Sequence, residues 1–231
     1  MSPGTGSPNP RASSRAGVQI SSARVAADRG QIYVAGTGSF ALELVEYARD
    51  AGFAVRGLIE LVDDGRVGGR IHDLEVVAVD GPARGAFVIG AGGDRQEHAT
   101  RLEGAGWEPG TVVHPTAHLS PIASVANGTV VAPGVVVGAA SELGAHVLVG
   151  RGSLVGHHVS VAPAATLNPG SNVAGNVRIG ARAVIGMGAV VANGLEVGAG
   201  AVVAAGAVVV RDVDAGARVQ GVPARAFEQQ R

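Results

Sequence analysis

Two adjacent histidines, His157 and His158, interrupt an aliphatic, small-residue run, Val155-Gly156-His157-His158-Val159-Ser160-Val161, in a chain with seven histidines in all. Imidazole changes charge close to neutral pH and can take a proton from an attacking nucleophile. The pair is therefore either a base with a neighbour or a polar decoration on a turn. Two glycine-rich stretches offer a different chemistry. Gly36-Thr37-Gly38-Ser39-Phe40-Ala41 follows the strand-like QIYVA of residues 31–35 and opens the helix-like LELVEYARDAG. With Glu60 placed 24 residues after Gly36 in the strand-like VRGLIE, it has the form G-x-G-x-x-A plus an acid. Gly90-Ala91-Gly92-Gly93-Asp94 likewise follows Phe87-Val88-Ile89 and opens RQEHATRLEGAG. Free backbone N–H groups and the helix dipole favour anions at such starts, which suits a phosphate or a nucleotide sugar. The same glycines also serve simply as tight strand-to-helix turns.

What must position these groups is written in a six-residue beat. Every sixth residue from Val113 to Val209 is Val, Leu or Ile, seventeen positions without a gap, and the next residue is commonly glycine, as at Gly138, Gly144, Gly150 and Gly156. This period fits neither a helix nor simple strand alternation. It fits short flat strands joined by tight turns, three to a coil, with the aliphatic residue inward and its small neighbour at the bend. The expected fold is therefore a hexapeptide left-handed parallel β-helix, a prism of nearly six coils, ~27 Å tall at the usual strand spacing. Residues eighteen apart stack, so Ala139 and Gly175 flank His157 and Asn176 lies above His158. His157 is thereby expected at a corner with room for a ligand. His118 and His146 read as exposed turn residues, and His114 as structural.

Bulk properties narrow the setting. A net charge of −1 on 231 residues gives no footprint for nucleic acid or an anionic membrane surface. No apolar run approaches the ~20 residues of a membrane span. Cysteine is absent, which fits a reducing cytoplasm and leaves no thiolate metal site. Residues 1–29, rich in Ser, Pro, Gly and Arg and without the apolar stretch of a secretory signal, are expected to form a disordered tail. The domains expected are a small Rossmann-like α/β unit over 30–110, the β-helix over 111–213, and a C-terminal tail over 214–231.

A short Rossmann-like domain followed directly by hexapeptide coils resembles the NeuD/PglD-type sugar acyltransferases. The marks are IYVAGTGSFALELVEYARDAG, VVHPTAHLSPIASV (112–125), SLVGHHVSV, LNPGSNVAGNVRIG (167–180) and GVPAR (221–225). The resemblance implies a homotrimer that transfers an acetyl or similar acyl group from acyl-CoA, bound between adjacent prisms, to an amine or hydroxyl of a sugar, which the front domain holds as its nucleotide. It places the catalytic base on His157 and its neighbour on His158, where the family has Asp or Glu. It places acyl-CoA contacts on Thr166 (a histidine in the family), Met187 and Ala205; Gly175, which leaves room beside His157, and Arg225, whose guanidinium suits the CoA phosphates, are the other acyl-CoA candidates. Sugar-nucleotide contacts fall on Gly38, Ser39, Phe40, Glu60, Leu61 and Gly90; the family commonly has His at 40 and Asp-Asp at 60–61. No metal is expected. Two other readings stay open from the residues: a non-catalytic scaffold that kept the fold, and a metal enzyme like the γ-class carbonic anhydrases, with His146 and His157 or His158 as ligands.

Overall fold

The computed structural model describes residues 30–227; the expected N-terminal tail lies outside the described residues. The front of the chain forms β1 (Gln31–Ala35), α1 (Ser39–Asp50), β2 (Ala54–Glu60), β3 (Arg70–Ile71), β4 (Leu74–Ala78), β5 (Ala86–Ile89), α2 (Arg95–Gly104) and β6 (Glu108–Pro109). Its sheet has the order β3-β4-β2-β1-β5-β6, parallel except where β3 meets β4. Alternate strand residues point to opposite faces. Ile32, Val34, Leu58 and Val88 accordingly share one core with Leu44, Val45 and Ala48 of α1. Ala35, Ile59, Phe87 and Ile89 share another with Ala99 and Leu102 of α2. The two helices thus lie on opposite sides of the sheet.

From Val112 onward two-residue strands stack into three parallel ladders, the faces of a β-helix. Partners lie eighteen residues apart, as in Val136↔Leu154 and Leu154↔Asn172. Sixteen of the seventeen beat residues are buried and Val113 is half-buried, so the period marks the inward position. Every sixth residue from Gly128 to Gly206 has φ between 56° and 78°, the left-handed geometry of each corner's second residue. Gly156, one residue before its corner, faces the next coil so closely that a Cβ would stand 2.6 Å from Gly175 N. Inside the corners Thr129 and Ser141 donate their hydroxyls to the carbonyls of Gly144 and Gly156, both at 2.7 Å, which satisfies groups that the turn would otherwise bury alone.

The three faces differ in what their outward residues meet. On the ladder that runs through Val112, Val130, Leu148, Thr166, Val184 and Val202, the first three outward side chains are buried, and their core is continuous with α1. This is the covered face. The ladder through Ser124, Glu142, Ser160, Arg178 and Glu196 is polar, with Arg178 Nη2 donating to Glu196 at 2.8 Å. The ladder through His118, Val136, Leu154, Asn172, Val190 and Val208 is the bare face. Val136 and Leu154 there are 40% and 45% exposed, and Ile122 at its edge 67%.

The covered ladder also runs past residue 213, where the sequence suggested a tail. Arg218–Gln220 pairs with Val202–Val203, and Arg225–Ala226 folds back antiparallel on it. These residues break the six-residue beat, so periodicity alone could not find them.

Candidate active site

Three parallel neighbours, β2, β1 and β5, end side by side, and their C-terminal loops enclose a cavity of about 700 Å³. It lies outside the carboxyl ends of the strands on either side of β1, where parallel α/β sheets usually bind ligands. Gly38, Ser39, Phe40, Glu60, Leu61 and Gly90, scattered over 53 positions of sequence, all line it. Gly90 is demanded by close approach: a Cβ there would stand 2.8 Å from Ala41 Cα, where α1 crosses.

Glu60, on the cavity wall, is engaged with its own loop. Its Oε1 accepts the backbone N–H groups of Leu61, Val62 and Asp63 at 2.9, 2.9 and 3.1 Å, and Oε2 accepts the Thr37 hydroxyl at 2.8 Å. Burial opposes its ionisation, but these four donors outweigh burial and hold its carboxyl below the usual range. Glu60 therefore shapes the loop that lines the cavity. Leu61 is packed in the α2-side core, with its carbonyl taken by Arg101 at 2.7 Å. The two glycine turns are also unequal. At α1 the N-cap is Gly38, with no side-chain cap, whereas Asp94 caps α2 through the N–H groups of Gln96 and Glu97. The first turn thus leaves its N–H groups without a side-chain cap. Arg66, which the motifs did not single out, reaches over this cavity and donates to Thr37 Oγ1 at 3.0 Å.

Phe40, Ala91, Gly92 and Gly93 also line a second cavity of about 400 Å³ between α1 and the covered face. Thr166 stands on its prism wall beside Asn168, while Glu43 and Tyr47 line the helix side. Glu43 forms an ion pair with Arg151 and accepts the Tyr47 hydroxyl, which burial, helped by the Glu46 charge, pushes up to about 12. Sharing Phe40, Ala91, Gly92 and Gly93, the two cavities adjoin and together make a trench between the glycine turn and Thr166.

The junction of front domain and prism is pinned at a corner. Arg95 donates Nε to the His146 carbonyl at 3.2 Å and Nη2 to Ile89 O at 2.9 Å; its burial pushes its pKa down to about 10. His146, read from sequence as exposed, is only 4% exposed. It stacks on Phe87, and its Nε2 lies 2.7 Å from the Glu103 carboxylate. The α2 helix covers this corner, a contact across 43 residues that local sequence cannot show. His114 is buried, with Nε2 3.1 Å from Asp50, and its structural reading agrees with that placement. His118 is exposed on a strand of the bare face rather than in a turn.

His157 and His158 form the corner between the bare and polar faces, both exposed, with Nδ1 atoms 3.1 Å apart. The His157 ring lies against Gly175 in the coil above. Met187 and Ala205 occupy a different edge, between the covered and bare faces, and Arg225 lies at the end of the prism. A single chain thus gathers the front-domain residues but leaves the histidine pair, Thr166 and the Met187 edge on separate parts of the prism. No group of three or more His, Asp or Glu among the described residues is placed to hold a metal ion. Nor is any helix among them long and apolar enough to cross a membrane.

No protein-family model and no curated sequence matches the chain. Solved structures do. Perosamine N-acetyltransferase from Caulobacter crescentus, in complex with CoA and GDP-perosamine, is 28% identical over 87% of this chain and 98% of that one, with a TM-score of 0.79. The acetyltransferase domain of PglB from Neisseria gonorrhoeae, in complex with acetyl coenzyme A, is 27% identical over 85% of this chain and 98% of that one, with a TM-score of 0.76. WeeI from Acinetobacter baumannii, 24% identical with a TM-score of 0.56 over 86% of this chain and 100% of that one, shares the fold. By architecture, and over nearly the whole described chain, this protein is similar to solved sugar acyltransferases of the hexapeptide left-handed β-helix kind.

Proposed function

We propose that the protein transfers an acetyl or similar acyl group from acyl-CoA to an amine or hydroxyl of a nucleotide-linked sugar. The observation that carries this is the trench. The front domain, which we read as Rossmann-like over residues 30–110, opens its strand ends into one cavity that adjoins a second, lined by α1 and by Thr166 of the β-helix. The solved relatives bound to CoA, to acetyl-CoA and to GDP-perosamine supply the ligand classes. The uncapped start of α1 receives the phosphates. The sugar extends past Phe40 toward Thr166.

His157 acts as the base. Its Nε2 removes the proton as the acceptor nitrogen or oxygen attacks the thioester carbonyl. A bond forms from acceptor to acyl carbon, the C–S bond breaks, and the proton passes to the departing sulfur. Base catalysis of this kind is worth ~10²–10⁴-fold. Two of the matching perosamine N-acetyltransferase complexes carry a substituted histidine, which agrees with an imidazole at the centre of the reaction.

The site needs a second copy. His157 and Thr166 lie on different parts of one prism, and the aliphatic bare face between the His157 and Met187 edges is uncovered. A homotrimer that buries this face brings the edge of one chain to its neighbour's, with acyl-CoA in the seam beside Gly175, Met187, Ala205 and Arg225. The acyl-CoA pool places the reaction in the cytoplasm. Thiol release from acetyl-CoA, measured against a panel of nucleotide amino sugars, tests the proposal. Acceptor-dependent CoA formation supports it; no release with any acceptor, by protein that binds neither CoA nor a nucleotide sugar, leaves the scaffold reading in its place.

A further inference from the structure

The corner that carries His157 holds its histidines in a specific relation. The two Nδ1 atoms are 3.1 Å apart and the rings meet edge to face, at 84° with centroids 5.2 Å apart. A hydrogen bond between two ring nitrogens needs one N–H and one lone pair. Only one Nδ1 of the pair can then carry a proton, and the other ring must be the tautomer with its hydrogen on Nε2.

His158 also sits where a side chain is a burden. It has φ 56°, in the left-handed region, as do Ala140 one coil below and Asn176 one coil above on the same edge. The fold would accept glycine here with less strain. Six of the fourteen corner positions from 128 to 206 carry a side chain there, so it is the approach of this one to the neighbouring imidazole that points to a function.

We propose that His158 is a positioning residue for His157: its Nδ1 accepts the Nδ1–H of His157, which fixes the tautomer whose Nε2 lone pair meets the acceptor. This rests on His157 being the base. When His157 takes the proton, its Nδ1–H still donates to the neutral His158, and that bond strengthens with the charge. An imidazole thus does the orienting work of a carboxylate while adding no negative charge. The stacked corner positions hold no titratable group to replace it: Ala139 and Ala140 lie below, Gly175, Asn176 and Asn193 above. On the adjoining polar face the charged groups are Glu142 and Arg178, the strand neighbours of Ser160.

The test compares kcat, KM and pH profile for His158→Gly, His158→Asn and His158→Asp, with His157→Ala as reference. Asn fits this backbone, as Asn176 shows one coil above with φ 58°, and its oxygen can accept the same hydrogen bond. We expect His158→Gly to keep or raise the melting temperature, to keep KM, and to lose about tenfold or more in kcat. His158→Asn should recover most of that loss. His158→Asp should move the acidic limb of activity to higher pH, because a carboxylate favours the imidazolium. Full kcat in His158→Gly, or an acidic limb in His158→Asp that stays in place, overturns the positioning role alone. Undiminished turnover in His157→Ala overturns the base and the positioning role together.

Discussion

The imidazole of His157 lies so close over Gly175 that a Cβ on residue 175 would stand 2.7 Å from both Cε1 and Nε2. Gly175 has no left-handed φ, so its backbone accepts alanine; the exposed ring must move instead. Gly175→Ala should therefore leave the melting temperature nearly unchanged while kcat falls by roughly 10–10²-fold, since about 1 Å of displacement costs that much. Thermal denaturation beside steady-state kinetics checks it. Equal kcat in the variant would mean that this position of the ring is immaterial to turnover.

Acid should loosen the junction between front domain and prism. Burial lowers the His146 pKa against the pull of Glu103, so the unfolded chain binds a proton more readily than the folded one. Stability from this group is complete above the ordinary histidine range and declines as pH falls below it. The depressed carboxyl of Glu60 adds a loss of the same sign at lower pH. Melting temperatures between about pH 8 and 5 should fall. His146→Asn, which suits the left-handed backbone at φ 57° and keeps the carbonyl that Arg95 uses, should flatten the upper step. A wild-type melting temperature constant over that range contradicts this.

Glu60 organises a loop of the cavity wall through four hydrogen bonds. Glu60→Gln keeps the shape but exchanges an acceptor for a donor opposite the neighbours. We expect a stability loss of about 1–3 kcal/mol and a raised KM for the sugar nucleotide, with kcat little changed. A variant of undiminished stability whose only change is in binding would make Glu60 a direct contact of the sugar nucleotide and not a holder of the loop.

The six-residue beat makes the prism legible because each inward residue has one environment, a narrow aliphatic core, and nothing distant alters it. Periodicity alone therefore suffices to point Val137, Val155 and Val173 inward. The front-domain cavity is legible as positions, since strand ends carry glycine turns, but not as chemistry. That Glu60 faces its own loop depends on Thr37 and on three backbone N–H groups that no motif records. The burial of His146 escapes the sequence because its corner is covered by α2, and corners look alike in sequence whether bare or docked. The strand at Arg218–Gln220 escapes it for lack of a beat.

The bare face should be where copies meet. Leu154 is 45% exposed in a single chain, so Leu154→Arg should not disturb the core. Size-exclusion chromatography with light scattering should show a trimer for the wild type and a smaller species for the variant, with activity lost alongside assembly. A wild-type monomer that is fully active would remove the shared site.

Proton removal by His157 is the centre of the account. The most direct measurement is kcat for His157→Ala in acetyl-CoA turnover, once an acceptor sugar is in hand, with CoA binding and melting temperature measured on the same protein. We expect a folded variant that binds CoA normally and turns over at least about 10²-fold more slowly. Turnover within a few-fold of wild type would contradict it.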